Sequence, residues 1–378
     1  MFEYIKGFVK REIVLSIAIV LTVITCFFVP IDKEYLGYFE VDTLLSLFSM
    51  LVVVTGLKKS NVFDIISRGI ISLFKNRRSL ITGLVFGTFI FDMIVANDMS
   101  LITFLPLSYI VLHSTSNDKY LAITFILQTI AANMGGMITP YGNPQNLYLY
   151  SFFDIGLSEF IKILLPQYLL VIVLLFIACR FISKEPLRLR NDKVNVLKRK
   201  QFFLYFYQFI IVIASIFRLI PTWYAFFVVV LFTFMIDRRI FKDVDYALLA
   251  TFIVFFIFSG NIARISFLSN FITGHISKSI LLVGIISCQF ISNVPSAILI
   301  SKFTSNYSDL LIAVNIGSLG ILISSLASLI TLKAFLKYQP GNFKKYICIY
   351  TVINLTFLFI ILVFTYLIRW FGGYYEEW

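Results

Sequence analysis

A run of polar and helix-breaking residues interrupts an apolar stretch over residues 121–152. The break extends from Asn133 to Asn146 and mixes glycine, proline and asparagine. Backbone groups freed by such a break find no water in hydrocarbon, so the break persists in a membrane only where it lines a cavity or is buried in protein. In secondary transporters, breaks of this kind bind solute and ions. The segment therefore predicts transport.

Two pairs of short apolar segments also meet at polar residues, the first at Asn97 and the second at Asn293. Each segment is short for a membrane crossing, so we predict re-entrant helical hairpins over 79–113 and 278–304. We expect the two asparagines to face each other inside the bilayer. Half-helix N-termini at these tips, and at the restart after Asn143, would suit an anion or a hydrogen-bond acceptor. The predicted solute contacts are Asn97, Gly142, Asn143, Ser292, Asn293 and Ser296.

A coupling ion is expected at the same breaks. Carbonyl groups that end half-helices suit Na⁺, which predicts sodium near Asn97, Asn133 and Asn143. Acidic side chains at this depth are costly and usually functional, and such a side chain can either pair with Na⁺ or carry a proton. The residues predicted to hold or relay Na⁺ or H⁺ are Asp92, Asp98, Asn133, Thr139 and Asn315. The alternative is that these residues only cap buried helix breaks.

The composition agrees with a membrane location. The chain has 378 residues, of which 59% are hydrophobic and 14% charged. Stretches such as 13–29, 160–179 and 346–368 are long and apolar enough to span a bilayer. We predict an all-α polytopic protein of the plasma membrane. Signatures of metalloproteases, nucleophile elbows and P-loops are absent, so we expect no enzyme and no cofactor beyond the coupling ion.

The charges lie in short loops and give an orientation. The net charge is +12, and the positive-inside rule explains most of it, so no nucleic-acid partner is expected. The basic N-terminus and the basic linker 183–201 are predicted to be cytoplasmic, and the C-terminus extracytoplasmic. Residues 60–78 are predicted to form an amphipathic helix at the inner interface. The expected partners are the lipid bilayer and a small inorganic or organic anion.

The two halves of the chain have the same order of elements. Each contains a hairpin followed by a broken span, over 119–153 in the first half and 307–332 in the second. Because the halves begin on opposite sides of the membrane, we predict inverted repeats over 12–182 and 222–370, joined by a basic linker and a connecting span over 183–221. Local sequences agree: Asn97-Asp-Met-Ser100 corresponds to Asn293-Val-Pro-Ser296, and Asn133-Met-Gly-Gly136 to Asn315-Ile-Gly-Ser318.

At these motifs the chain resembles the ion transporter superfamily, which includes arsenite permeases, divalent-anion/sodium symporters and citrate transporters. The segment 96–106 is most similar to the first hairpin of the arsenite permeases, and 133–146 is similar to a loop shared by the group. The resemblance implies a scaffold domain, two transport domains and a homodimer. The dicarboxylate symporters carry Ser-Asn-Thr at both hairpin tips, whereas this chain has Ala96-Asn-Asp98 and Ser292-Asn-Val294. Only the central asparagine of the triplet is present at both hairpin tips of this chain.

Two hypotheses follow from the sequence. The first is an ion-coupled secondary active transporter that moves a small anionic or oxyanion-like solute, a carboxylate or an arsenite-like species, by alternating access. The second is a sodium/proton antiporter that uses Asp98 and Asp92 without an organic solute.

Overall fold

The computed structural model describes residues 13–62, 65, 74, 76–95, 97–186, 197–276 and 278–371. The basic N-terminus, most of the helix predicted over 60–78 and the C-terminal residues lie outside the described residues. The backbone of Asp98 is described but its side chain is not. Within the described ranges the chain forms α-helices and short 3-10 turns with no strand, which confirms the all-α prediction.

The α-helices follow one another along the described ranges. The first eight are α1 (Ile13–Cys26), α2 (Val41–Lys59), α3 (Arg77–Val95), α4 (Asn97–Ser114), α5 (Leu121–Gly135), α6 (Pro144–Phe152), α7 (Leu157–Arg180) and α8 (Arg199–Ile216). The next eight are α9 (Thr222–Asp237), α10 (Tyr246–Arg264), α11 (Ser266–Ile276), α12 (Ile280–Ile291), α13 (Asn293–Ser301), α14 (Tyr307–Ile316), α15 (Leu326–Tyr338) and α16 (Phe343–Phe371).

Several of these helices can cross a bilayer. Six helical stretches among the described residues are long and apolar enough, and they fall in α2, α3, α5, α7, α10 and α16. Helix α3 is thus longer than the sequence analysis expected for the first arm of the hairpin over 79–113, and the re-entrant path of that hairpin stays a prediction. In the longest of the six, α7 and α16, most of the residues are not buried by protein. In a membrane protein such residues face lipid, because lipid tails are as apolar as leucine. The chain is therefore a polytopic membrane protein, as predicted.

The chain divides into two compact units. The first contains Met1–Ser60, Leu147–Gly156 and Lys198–Val314, and the second contains Asn61–Asn146, Leu157–Leu197 and Asn315–Trp378. In the first unit, α10 packs on α1 and α13, α2 packs on α8 and α9, and α12 packs on α13. In the second, α3, α4 and α5 pack on one another, α15 packs on α4 and α5, and α16 packs on α5 and α7. Each unit combines segments from both predicted repeats, and the inverted repeats stay a prediction.

One end of the second unit is held together by a buried arginine. The Arg77 guanidinium donates to the Glu185 carboxylate at 2.6 and 2.8 Å and to Asn117 Oδ1 at 2.9 Å. The bond from Arg77 holds the pKa of Glu185 below its ordinary value. The cations of this end are Arg77, Arg78, Lys119, Arg180 and Lys184, against the acids Asp118 and Glu185. Such an excess of positive charge is typical of the cytoplasmic side of a membrane protein.

Candidate functional site

The predicted break in the span over 119–153 is confirmed. Helix α5 ends at Gly135, a 3-10 turn covers Gly136–Ile138, and α6 begins at Pro144. Proline is well tolerated in the first turn of a helix, where its missing N–H would have no partner in any case. Nearly all residues of the break are buried. Polar groups so placed need partners from the protein, and the first helix of hairpin 79–113 supplies two of them.

Asp92, on α3, contacts the break directly. Its side chain is fully buried, and its Oδ2 accepts a hydrogen bond from the backbone N–H of Gly136 at 2.5 Å. One residue further along α3, the backbone carbonyl of Met93 accepts a hydrogen bond from Thr139 Oγ1 at 3.1 Å. The two predicted ion-coupling residues Asp92 and Thr139 therefore lie at one place, where the hairpin meets the break.

Gly136 and Gly142 let the two sides of the break approach each other. A Cβ atom on Gly136 would lie 2.7 Å from Asp92 Oδ2, 2.9 Å from the Gly142 carbonyl carbon and 3.0 Å from Asn143 Oδ1. A Cβ atom on Gly142 would lie 2.5 Å from both the Gly136 carbonyl oxygen and Thr139 Oγ1. Side chains other than hydrogen do not fit at these distances. The glycines therefore bring a carboxylate oxygen and an amide oxygen close to the same point.

The two asparagines of the break are tied to each other. The Asn143 side-chain amide donates to the backbone carbonyl of Asn133 at 3.0 Å, and the Asn133 amide donates to Ser325 Oγ at 3.0 Å. Asn143 directly precedes the restarted helix, but its Oδ1, the atom that could cap that helix, accepts no hydrogen bond from a described residue. The side-chain oxygens of Asn133, Asn143 and Gln145 are buried and accept no hydrogen bond from any described residue.

The second predicted broken span contributes Asn315 to the same unit. Helix α14 ends at Ile316 and α15 begins at Leu326, so the break predicted within 307–332 is present. The Asn315 amide donates to Asn146 Oδ1 at 2.7 Å, and Asn315 Oδ1 accepts from Gln145 Nε2 at 3.4 Å. The Asn146 amide donates in turn to the backbone carbonyl of Met137 at 3.2 Å. The two breaks are thus joined by side-chain amides.

The tip of the first hairpin lies in the same unit. Helix α4 begins at Asn97, whose side chain is only 6% exposed. The hydroxyl of Ser100 donates to the carbonyl of Thr88 at 2.9 Å, which holds the first turn of α4 against α3. Ala96 and the side chain of Asp98 lie outside the described residues, so the role of Asp98 stays a prediction.

The tip of the second hairpin lies in the first unit. Ser292, Asn293 and Ser296 are buried there. Ser292 precedes α13 without a capping hydrogen bond from its side chain, whereas Asn293 Oδ1 accepts from the N–H of Val294 at 3.0 Å. The Ser296 hydroxyl is 2.8 Å from that of Ser287, which links α13 to α12. These residues, with Asn97, Gly142 and Asn143, stay predicted solute contacts.

Ser292 has a strained backbone. Its φ of 77° and ψ of 159° lie in a region that is essentially restricted to glycine and costs other residues about 1–3 kcal/mol. We expect Ser292→Gly to raise the free energy of unfolding by about 1 kcal/mol, since part of the relieved strain is offset by the entropy that glycine loses on folding. Thermal unfolding in detergent measures the change. Ser292→Ala keeps a Cβ atom and should give no such gain, so equal gains for both variants would contradict the strain.

Three residues of this cluster were not among the sequence candidates. Gln145, Asn146 and Ser325 connect the two breaks by hydrogen bonds. A signal for them was available, because each is a polar residue beside a predicted break in an apolar chain. Their partners could not be found from the sequence, since Asn133 and Ser325 are separated by 192 positions.

The cluster around the first break is rich in oxygen acceptors. It combines one carboxylate with amide oxygens that only accept hydrogen bonds, and oxygen atoms are the ligands that hard cations prefer. Among the described residues, no group of three or more His, Cys, Asp and Glu side chains could hold a metal ion. The chemistry of this donor set is therefore that of an ion held mainly by neutral oxygens.

Comparison with known proteins gives the class of the chain. Residues 4–309 match the family described as citrate transporter. The chain is 29% identical over 295 residues to an uncharacterized transporter of Methanocaldococcus jannaschii, covering 78% of this chain and 81% of that protein. It is 26% identical over 313 residues to the inner membrane protein YbiR of Escherichia coli, covering 81% and 83%. With its apolar helices and paired helix breaks, the chain is a membrane transporter and belongs to the citrate transporter family.

Proposed function

We propose that the protein is an ion-coupled secondary active transporter that moves a small anionic solute across the plasma membrane by alternating access. The solute class is a carboxylate, as the family description suggests, or an arsenite-like oxyanion, as the first hairpin motif suggests. The observation that carries the proposal is the buried cluster of Asp92 and the amide oxygens at the break of the first span. Buried polar and acidic residues at membrane depth usually have a function.

Sodium is the coupling ion that this cluster favours. A proton could be carried by Asp92, but a protonated carboxyl group has a single O–H donor and could serve at most one of the amide oxygens of Asn133 and Asn143. A buried acceptor without a hydrogen bond costs about 1–3 kcal/mol. A sodium ion bound by Asp92 and these oxygens would stabilise all of them at once. Asp98, Thr139 and Asn315 remain proposed contributors to holding or relaying the ion.

The geometry around Asp92 also supports a second function. A fully buried carboxylate on a transporter helix is the kind of group that exchanges Na⁺ for H⁺. The protein would then be a sodium/proton antiporter that uses Asp92 and Asp98 and binds no organic solute.

Uptake into proteoliposomes distinguishes the two functions. Labelled citrate, succinate, sulfate and arsenite are offered under an inward Na⁺ gradient, a pH gradient or neither. For one-to-one coupling, a tenfold Na⁺ gradient supplies about 1.4 kcal/mol and supports about tenfold accumulation of a solute. We expect one of these solutes to accumulate under the Na⁺ gradient. Proton movement on adding Na⁺, without flux of any of them, would support the antiporter instead.

A further inference from the structure

An apolar cavity of about 380 Å³ lies in the second unit, away from the helix breaks. Three spanning helices line it, α5, α7 and α16, with Leu127, Leu174 and Phe357 among the lining side chains. It opens on a surface where α7 and α16 expose large apolar side chains, including Ile177 and Ile360, which are 47% and 38% exposed. Because this surface faces lipid in a membrane protein, the occupant that reaches the cavity comes from the bilayer.

The cavity extends to the basic end of the unit. Tyr120, Phe181 and Ile182 line it there. Each of the three is close to a cation. The Lys119 ammonium lies 5.3 Å from the centre of the Tyr120 ring, and Arg180 directly precedes Phe181 in the chain. Arg78 Nε donates a hydrogen bond to the Ile182 carbonyl at 2.6 Å. An apolar pocket and three positive charges therefore share one rim.

The acidic side chains at this end of the unit already have hydrogen-bond partners. Glu185 accepts both hydrogen bonds from Arg77, and its lowered pKa keeps it ionised in that pair. Asp118 Oδ1 is 2.9 Å from His113 Nδ1. Among the described residues, no acidic side chain lies within ion-pair distance of Arg78, Lys119 or Arg180, although the charge of Lys119 also helps to lower the pKa of Glu185. The rim thus carries positive charge that is available to an anion.

We propose that this cavity binds an anionic phospholipid. One acyl chain would lie in the cavity between α5, α7 and α16, and the phosphate would lie at Lys119, Arg180 and Arg78. Basic pockets between membrane helices on the cytoplasmic side recognise anionic headgroups in this way, and arginine pairs with phosphate in a bidentate manner. A zwitterionic lipid has the same chains but brings a compensating positive charge to the rim. Preference for anionic over zwitterionic lipid is therefore the defining property of the site.

Native mass spectrometry of the purified protein tests the proposal, with dioleoyl phosphatidylglycerol and dioleoyl phosphatidylcholine as probes. We expect the anionic lipid to bind at least tenfold more tightly. The double variant Lys119→Gln/Arg180→Gln should lower that affinity at least tenfold. The matched control Arg239→Gln/Lys242→Gln removes one exposed arginine and one exposed lysine from the first unit and should leave it unchanged. Equal affinity for the two lipids, or equal losses in the two double variants, would overturn the proposal.

A second variant tests the cavity separately from the charges. Ala178 lines the cavity, and Ala178→Leu adds apolar volume to it while leaving every cation in place. We expect weaker binding of phosphatidylglycerol by at least threefold. Glycerophosphoglycerol, which has the same headgroup and no acyl chain, should bind wild type and variant equally and weakly. Undiminished lipid binding by Ala178→Leu, or tight binding of the chain-free headgroup, would show that no acyl chain occupies the cavity.

Discussion

Replacing Asp92 by Asn is expected to lower Na⁺-driven uptake about 100-fold. The substitution keeps the shape of the side chain and an oxygen that can still accept from Gly136, but it removes the negative charge from the proposed ion site. Loss of one partner from a buried charged pair costs about 2–5 kcal/mol, and 100-fold corresponds to about 2.7 kcal/mol. Initial rates of solute uptake into proteoliposomes, at equal protein incorporation, measure the effect.

The control for this variant is Asp42→Asn. Asp42 is exposed in the first turn of α2 and lies in the first unit, so the same chemical change there removes no charge from the ion site. We expect its uptake to stay within twofold of wild type. Wild-type coupled uptake by the Asp92 variant would remove Asp92 from the mechanism and leave Asp98 as the acidic candidate.

Replacing Gly136 by Ala is expected to lower uptake at least tenfold. The added methyl group would lie within 3.0 Å of Asp92 Oδ2, the Gly142 carbonyl carbon and Asn143 Oδ1. Asp92 Oδ2 is held by a hydrogen bond and the Gly142 carbon is part of the backbone. The clash can therefore be relieved only if the break itself moves. Overpacking in a well-packed interior costs about 1–3 kcal/mol, and here the displaced groups are the proposed ligands. The same transport assay and a thermal unfolding curve give both effects.

Gly156→Ala is the matched substitution for this experiment. A Cβ atom on Gly156 would meet no other atom within 4 Å, so the change adds the same methyl group in open space. We expect unaltered uptake. If the Gly136 variant transports as well as the Gly156 variant, the break is loose enough to accept a side chain, and its close packing has no role in transport.

The helix breaks could be predicted because glycine, proline and asparagine act locally. The segment between Asn133 and Asn146 interrupts an apolar run, and the structure has a 3-10 turn and a helix restart there. In the same way, the polar residues at Asn97 and Asn293 mark the points where two helices begin. Length and hydropathy were sufficient for the membrane class, since a span needs about 20 apolar residues.

The hydrogen-bond partners within the breaks could not be predicted, because they depend on contacts between distant parts of the chain. Asp92 was one of the acidic candidates in the first hairpin, but its position in the sequence did not identify the N–H of Gly136 as its partner. Asn143 stands next to the helix that follows it, but its side-chain amide donates to the carbonyl of Asn133 in the helix that precedes it. A carboxylate or an amide has several feasible partners at a helix break, and only tertiary packing selects one.

The most direct test of the sodium site is to measure Na⁺ binding to the purified protein by isothermal titration calorimetry. The buffer contains K⁺ and is kept at constant ionic strength. We expect saturable Na⁺ binding by wild type and by Asp42→Asn, and at least 100-fold weaker binding by Asp92→Asn. Comparable binding by Asp92→Asn, or no Na⁺ binding by a wild-type protein that is active in uptake, would contradict a sodium site at the break of the first span.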